Sequence, residues 1–161
     1  MAVDMFIKIG ELKGEAQDDT HKGEIDVLAW SWGMSQSGTT HMGSGGGAGK
    51  VSVQDLSFTK YVDMSSTELM LACCNGKHFD DATLIVRKAG EQPLEYIKIV
   101  MTDLIISSLS TGGSGGEDRL TENVTLNFAT VNVTYAEQSS KGVAGATPTM
   151  GWDIAANIKA A

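Results

Sequence analysis

Most of the chain alternates between apolar and polar residues with a period of two, which is typical of β-strands that have one face on a core. Turn residues such as glycine, asparagine and serine separate these stretches. The predicted strands cover residues 5–9, 25–35, 51–58, 82–88, 94–110 and 121–135, and a short final strand begins at Gly151. The pattern therefore predicts a mainly β fold.

One segment departs from this pattern and predicts a helix over about residues 66–75. Ser65 to Glu68 has the sequence of a capping box, in which a hydroxyl and a carboxylate bond to backbone N–H groups at a helix start. Asn75 and Gly76 are typical of a helix end. Such a helix is only about 15 Å long and too short to be stable alone, so we expect it to pack laterally on the sheet.

The predicted strand over residues 25–35 has two unlike faces. Its even positions are bulky and are expected to enter a core: Leu28, Trp30, Trp32 and Met34. Its odd positions begin with Ile25 and Val27 and shrink to small side chains: Ala29, Ser31, Gly33 and Ser35. A face of small, mildly polar residues indicates that something lies against it or beyond it, either another sheet packed tightly on it or an open space.

The strand over residues 121–135 changes parity along its length. Its apolar residues occupy even positions up to Phe128 and odd positions from Val131 onward. A bulge or bend near Ala129 and Thr130 explains this shift. Because such bends let long strands curl, the chain is expected to form a closed or nearly closed antiparallel barrel, as a single domain over residues 1–161.

Charge and cysteine content limit the binding partners and the cellular compartment that the sequence favours. The 161 residues carry a formal charge of −8, which disfavours binding to nucleic acid or to an anionic membrane surface, and no apolar run is long enough to span a bilayer. Cys73 and Cys74 are adjacent, too close for an ordinary disulfide, so we expect free thiols. The N-terminus lacks the features of a signal peptide, which favours folding in the cytosol.

Two glycine-rich segments invite a phosphate-binding interpretation that their spacing opposes. In residues 38–50 the first glycine of a phosphate loop is replaced by Ser44, and Val51 follows the lysine where Ser or Thr is required. Residues 112–116 precede two acidic residues, which would repel a pyrophosphate. Both segments are therefore interpreted as flexible or close-contact loops, and no cofactor is predicted.

The residues alone leave two other functions open. Trp30 and Trp32 could line an internal pocket of a small-ligand-binding β-barrel. Cys74 and His78 could form a nucleophilic pair of a hydrolase, although Gly76 ends the helix between them. The three histidines are too far apart for a zinc site and are expected to be solvated loop residues, and no metal site is predicted.

Four motifs resemble the haemolysin-coregulated protein (Hcp) family, the tube subunits of bacterial type VI secretion systems. They are DMFIKI at residues 4–9, IDVLAWSWG at 25–33, DLSFTK at 55–60 and GGSGGEDRLTENV at 112–124. The resemblance runs from Met1 to about Tyr135 and resumes at Gly151 and Trp152. It covers nearly the whole chain and favours a structural, non-enzymatic protein.

The resemblance implies an antiparallel two-sheet β-barrel with one lateral helix, assembling as a hexameric ring. It also implies that rings stack into a tube, surrounded by a contractile sheath and capped by a spike protein, which is expelled from the cell. Small effector proteins would be bound and protected in the ring lumen. The protein would fold in the cytoplasm and be secreted without a signal peptide or membrane insertion.

Two sets of residues are the candidates for these roles. The small odd face is the candidate wall of the lumen and contact for effectors, with Ser31 facing the lumen: Ala29, Ser31, Gly33 and Ser35. The first glycine loop can bring backbone close to a neighbouring subunit, and its glycines are the candidate contacts within or between rings: Gly43, Gly45, Gly46, Gly47 and Gly49.

Overall fold

The computed structural model describes residues 3–38, 41, 49–90, 93–138 and 145–160. Within these ranges the chain forms eleven strands and one α-helix, which confirms the predicted mainly β fold. In chain order they are β1 Val3–Ile9, β2 Ile25–Asp26, β3 Ala29–Ser31, β4 Met34–Ser35, β5 Ser52–Val53, β6 Leu56–Tyr61, α1 Ser66–Asn75, β7 Phe79–Lys88, β8 Leu94–Thr111, β9 Thr121–Tyr135, β10 Thr149–Asp153 and β11 Ile158–Lys159.

The strands close into an antiparallel barrel because one segment of the chain changes its pairing partner. The order around the barrel is β2-β1-β7-β8-β9-β6-β3, and β2 leads directly into β3. The N–H of Val27 still donates to Met5 O of β1 (3.0 Å), whereas the N–H of Leu28 donates to Thr59 O of β6 (2.8 Å). The predicted strand over residues 25–35 is therefore three short strands, of which β2 and β3 join the two ends of the sheet and β4 pairs with β5 in a separate two-stranded sheet.

This change of partner corrects the expected core face of residues 25–35. Ile25 and Val27 are buried, whereas Leu28 is 39% exposed and Ala29 is also exposed. Because two consecutive residues point outward at the corner, the alternation slips by one position there. Beyond the corner the prediction holds in part, since Trp30 and Trp32 pack against the core, but Met34 is 45% exposed.

The long strand β9 divides one of its edges between two partner strands. It pairs with β8 along one side, and its other side pairs with β6 over residues 121–126 and with β10 over residues 130–134. The predicted change of parity is present, because the buried residues occupy even positions up to Phe128, after which Val131 is buried and Val133 packs against the core. β9 therefore takes part in both walls of the barrel.

Of the bulge or bend predicted near Ala129 and Thr130 of β9, no bulge is present, and the irregularities of this strand pair lie in β8. The register of β8 against β9 is the same on both sides of Ala129, and the facing Asp103 adopts a left-handed conformation with φ 49°. A bulge in β8 leaves Ser107 as an extra residue between Ile106 and Ser108. The pairing of β9 with β8 is therefore regular at Ala129, and the register shifts only at Ser107.

The helix occupies the predicted residues, although the predicted capping box is not formed at its start. Gly76 adopts the left-handed conformation at the end, with φ 68°, and its N–H donates to Ala72 O (3.0 Å). The capping box is not formed, because the Ser65 side chain makes no capping bond and is bonded to Asp63 instead. Leu69 and Ala72 enter the core, as expected for a helix that depends on packing.

None of the helical structure described here is long and apolar enough to cross a membrane.

A buried ion pair fastens β6 to β9 and to the start of the helix. Lys60 and Glu122 face each other in register, and both are fully enclosed. The Lys60 ammonium donates to the Glu122 carboxylate and to Ser66 Oγ (3.1 Å), and it lies 3.0 Å from Asp63 Oδ1. Ser66 Oγ in turn donates to Glu122 Oε1 (2.6 Å), so both donors converge on one carboxylate oxygen away from water, while Glu122 Oε2 is buried without a hydrogen-bond partner.

The connection between β1 and β2 is also held on the barrel by ionic contacts. Asp18 accepts hydrogen bonds from the guanidinium of Arg87, and this contact holds the pKa of Asp18 below its usual value. His21 was predicted to be solvated, but it is only 8% exposed. It stacks on Phe6 and its ring nitrogens lie against the carboxylates of Glu24 and Glu95. The segment is therefore part of the folded barrel.

The ion pair generates a stability prediction. Lys60→Met leaves the Glu122 carboxylate buried without its counter-charge, which is expected to lower the free energy of unfolding by about 3–5 kcal/mol. Thermal and denaturant unfolding measure the loss. The double variant Lys60→Met/Glu122→Leu should recover much of it, and Lys98→Met, at an exposed position of β8, is the control. A Lys60→Met protein as stable as the parent would contradict this account.

Candidate functional site

The outer side of four neighbouring strands, β3, β6, β9 and β8, carries small polar side chains in rows that cross the strands. One row runs Ser31, Ser57, Thr125 and Ser108, and the next runs Ala29, Thr59, Asn123 and Ser110. The intervening row points to the core and contains Trp30, Phe58, Val124 and Leu109. We call the outer surface the polar face, formed by Ala29, Ser31, Asp55, Ser57, Thr59, Ser108, Ser110, Asn123, Thr125 and Asn127.

Hydrogen bonds between strands tie the rows of the polar face together. Ser57 Oγ lies 3.3 Å from Thr125 Oγ1, and Thr59 Oγ1 donates to Asn123 Oδ1 (2.7 Å). These side chains are exposed or half-buried, so the face is open to solvent. It is a regular surface of small side chains that ends at Ile105, in register with Asn127, and at Tyr61, whose ring carries the guanidinium of Arg119 (3.7 Å).

Asp55 carries the only formal charge among the residues of the polar face. One of its carboxylate oxygens accepts a hydrogen bond from Ser107 Oγ (2.8 Å) and the other accepts one from Asn127 Nδ2 (2.8 Å). Ser107 is the extra residue of the β8 bulge, so the bulge aims its hydroxyl at the carboxylate. The charge is therefore confined to one end of the face and held by neutral donors.

Two edges of this four-stranded sheet have no second strand beside them in the described part of the chain. β8 pairs with β7 only as far as Leu104, so its residues 105–111 pair with β9 alone. β3 pairs with β6 alone. These edge strands run in opposite directions, because successive strands of the sheet are antiparallel. Unpaired edges are where a second chain can add to a sheet.

The predicted lumen residues fall in three different places. Ala29 and Ser31 are exposed on the polar face. Gly33 is half-buried just beyond it, where its carbonyl accepts the N–H of Gln54 (2.9 Å). Ser35 belongs to the separate two-stranded β4–β5 sheet, where it is paired with Ser52. The structure thus brings Ala29 and Ser31 into one surface, with Gly33 at its border.

The predicted contact residues of the glycine loop lie largely outside the described residues, namely Gly43, Gly45, Gly46 and Gly47. Gly49 is described and is exposed. Its N–H donates to Ser37 O (3.3 Å), and a Cβ at this position would collide with the Ser37 hydroxyl. A larger residue at this position would require the Ser37 hydroxyl to move, so the close approach within the chain favours glycine.

Most of the polar face was missed by the sequence analysis. The Ser, Thr and Asn residues of β6, β8 and β9 alternate with core residues, and that alternation was a usable signal. Their alignment with Ser31 was not predictable, because it depends on strand order, register and the bulge at Ser107. A single residue of slip would have turned these side chains to the opposite side.

The residues of the two other candidate functions lie in separate parts of the fold. Trp30 packs in the core row, and Trp32 donates its indole N–H to Gln54 O (2.8 Å) while lining a lateral apolar groove of about 150 Å³. Typical ligand pockets measure about 300–1,000 Å³. Cys74 is exposed on the helix, and His78 Nδ1 lies 3.0 Å from Asp103 Oδ1. Both cysteines are free thiols, as predicted.

Comparison with known proteins gives a consistent result. The model of the family described as "Type VI secretion system effector, Hcp" matches residues 6–135. Protein hcp1 of Pseudomonas aeruginosa is 63% identical over 162 residues, which cover 99% of this chain and 100% of that protein. The crystal structure of Hcp1 from Salmonella typhimurium is 45% identical, with a TM-score of 0.83 over 99% of this chain and 100% of that one. A structure of a type six secretion system protein is 30% identical, with a TM-score of 0.93 and the same coverage.

Proposed function

Because the chain belongs to the Hcp family of type VI secretion proteins, in which hexameric rings are known, we propose that it is a subunit of the inner tube. Six copies form a ring, the rings stack, and the polar face lines the lumen. The observation that carries this proposal is the polar face itself, an open, small-residue surface flanked by two unpaired strand edges. The tube is structural, and the protein acts without a cofactor.

The unpaired edges support closure into a ring. A cyclic assembly needs two different, complementary surfaces on each subunit. The edge of β3 and the edge of β8 beyond Leu104 flank the polar face and run in opposite directions. The β3 edge of one subunit would therefore lie antiparallel to the β8 edge of the next, which joins the polar faces into one inner wall.

The chemistry of the polar face supports its position in the lumen. A passage for proteins needs an inner wall without protruding side chains, and Ala29, Ser31, Ser57 and Thr125 are all small. They are also polar or only weakly apolar, which suits a water-filled channel. Effector proteins would be held against this wall and protected until the tube is expelled.

Charge indicates how the rings would stack. Six subunits, each of formal charge −8, give a ring of −48, so bare rings repel one another at low salt. Stacking would depend on local contacts, to which the glycine loop contributes, and on a template from the spike protein and the contractile sheath. The protein would fold in the cytoplasm and leave the cell by type VI secretion.

The assembly is tested first by native mass measurement and negative-stain images. Six chains of 17.0 kDa give a particle of about 102 kDa, and the images should show annular particles. A monomer that binds a small molecule would contradict the tube proposal and favour a ligand-binding barrel.

The lumen assignment is tested by Ser31→Arg. A long charged side chain on the polar face should obstruct cargo and leave the core intact, because Ser31 is exposed. We expect annular hexamers of normal mass that retain a small fraction of the effector proteins that co-purify with the parent ring. Thr67→Arg, at an exposed position of α1, is the matched control. Normal co-purification with Ser31→Arg rings would remove Ser31 from the lumen.

The glycine loop is tested by deleting residues 45–47. If the loop contributes to contacts between subunits or between stacked rings, the deletion should shorten tubes or abolish secretion. Tube lengths in electron micrographs and the amount of protein in the culture medium measure the effect. Unchanged tubes together with normal secretion would show that the loop plays no part in assembly.

A further inference from the structure

The charge pattern of the polar face indicates which cargo it can hold. Of its ten residues, Asp55 alone is charged, and both of its carboxylate oxygens already accept hydrogen bonds from Ser107 and Asn127. A charged side chain pressed against the remaining hydroxyl and amide groups would lose water and gain no counter-charge, which is costly. Charged cargo surfaces are therefore disfavoured.

The neutral groups retain capacity for hydrogen bonds with a partner. Thr59 uses its hydroxyl hydrogen on Asn123 Oδ1, which leaves its oxygen lone pairs and the two amide hydrogens of Asn123 directed to other partners. Ser31 and Ser108 add exposed hydroxyls at the two ends of their row. Donors and acceptors are thus interspersed over the whole surface.

The spacing of the rows matches extended polypeptide. Rows that face the same side are two residues apart along each strand, or about 6.8 Å. An extended segment laid along the strands presents every second side chain at the same repeat. Its side chains would therefore meet the successive rows of Ala29 and Ser31 in phase.

We propose that the polar face recognises extended, uncharged segments of a protein cargo, rich in Ser, Thr, Asn, Gln or Gly, through hydrogen bonds and not through ion pairs. The proposal rests on the proposed function, since the face encloses cargo only in a ring. It predicts that cargo binding is nearly independent of ionic strength, because screening acts on charges and not on neutral hydrogen bonds.

Methyl NMR of threonine-labelled hexamers tests this proposal at the polar face itself. Thr59 and Thr125 report on the face, and Thr67 of α1 reports on binding elsewhere. The probes are three synthetic peptides of equal length: a Ser/Asn/Gln peptide, and the same peptide with three positions changed to Lys or to Glu. We expect the neutral peptide to shift the Thr59 and Thr125 signals and both charged peptides to bind at least about tenfold more weakly. The Kd of the neutral peptide should change less than about twofold between about 50 and 500 mM NaCl.

A charge placed on the face should reverse the preference. Ser108→Lys, at an exposed position of the Ser31 row, should make the Glu peptide the tightest binder and its Kd salt-dependent, whereas Thr67→Lys should leave the order unchanged. The proposal is overturned if a charged peptide binds the parent face as tightly as the neutral one, or if no peptide shifts Thr59 or Thr125 in intact hexamers. Loss of the hexameric mass would instead count against the proposed function.

Discussion

The register of β6 against β9 is the constraint on which the surface of this protein depends, and the Lys60–Glu122 pair is what makes any other register costly. Both charges are fully enclosed, and they are bonded to each other and to Ser66 of the helix. A slip by one residue would separate them and leave two buried charges without partners. The same slip would turn Ser57 and Thr59 into the core. A buried interaction therefore determines the chemistry of the exposed face.

The two sides of the four strands that form the polar face meet different requirements. The inner side holds Phe58, Val124 and Leu126, which are almost fully buried in the core. The outer side carries small polar groups that contribute little to that core, so its composition is open to the requirements of assembly and cargo. Since the period of a strand is two residues, one segment of sequence serves both purposes without conflict. Mutations on the outer side are therefore suited to testing function without disturbing the fold.

The bends of the barrel divide β9 between its two walls. Its first half pairs with β6 in the wall that carries the polar face, and its second half pairs with β10 in the other wall. The bend lies where Asp103 adopts its left-handed conformation, and the nearby bulge at Ser107 directs a hydroxyl to Asp55. The bulge in β8 therefore also supplies a neutral hydrogen-bond donor to Asp55, the one charged residue of the polar face.

Local rules determined what the sequence could reveal by itself. Alternation placed most of the strands, the Asn75-Gly76 signal placed the helix end, and the small residues at Ala29 and Ser31 marked an exposed surface. Contacts between distant segments decided the rest. Ser66 is hydrogen-bonded to Lys60 and Glu122, and no capping box forms at the start of the helix. The change of strand partner at Leu28 turns part of the expected core face outward. His21 is buried because Phe6, Glu24 and Glu95 surround it. Periodicity belongs to neighbouring residues and can be read along the chain, whereas register, closure and burial arise from pairs far apart in sequence, which only the tertiary structure brings together.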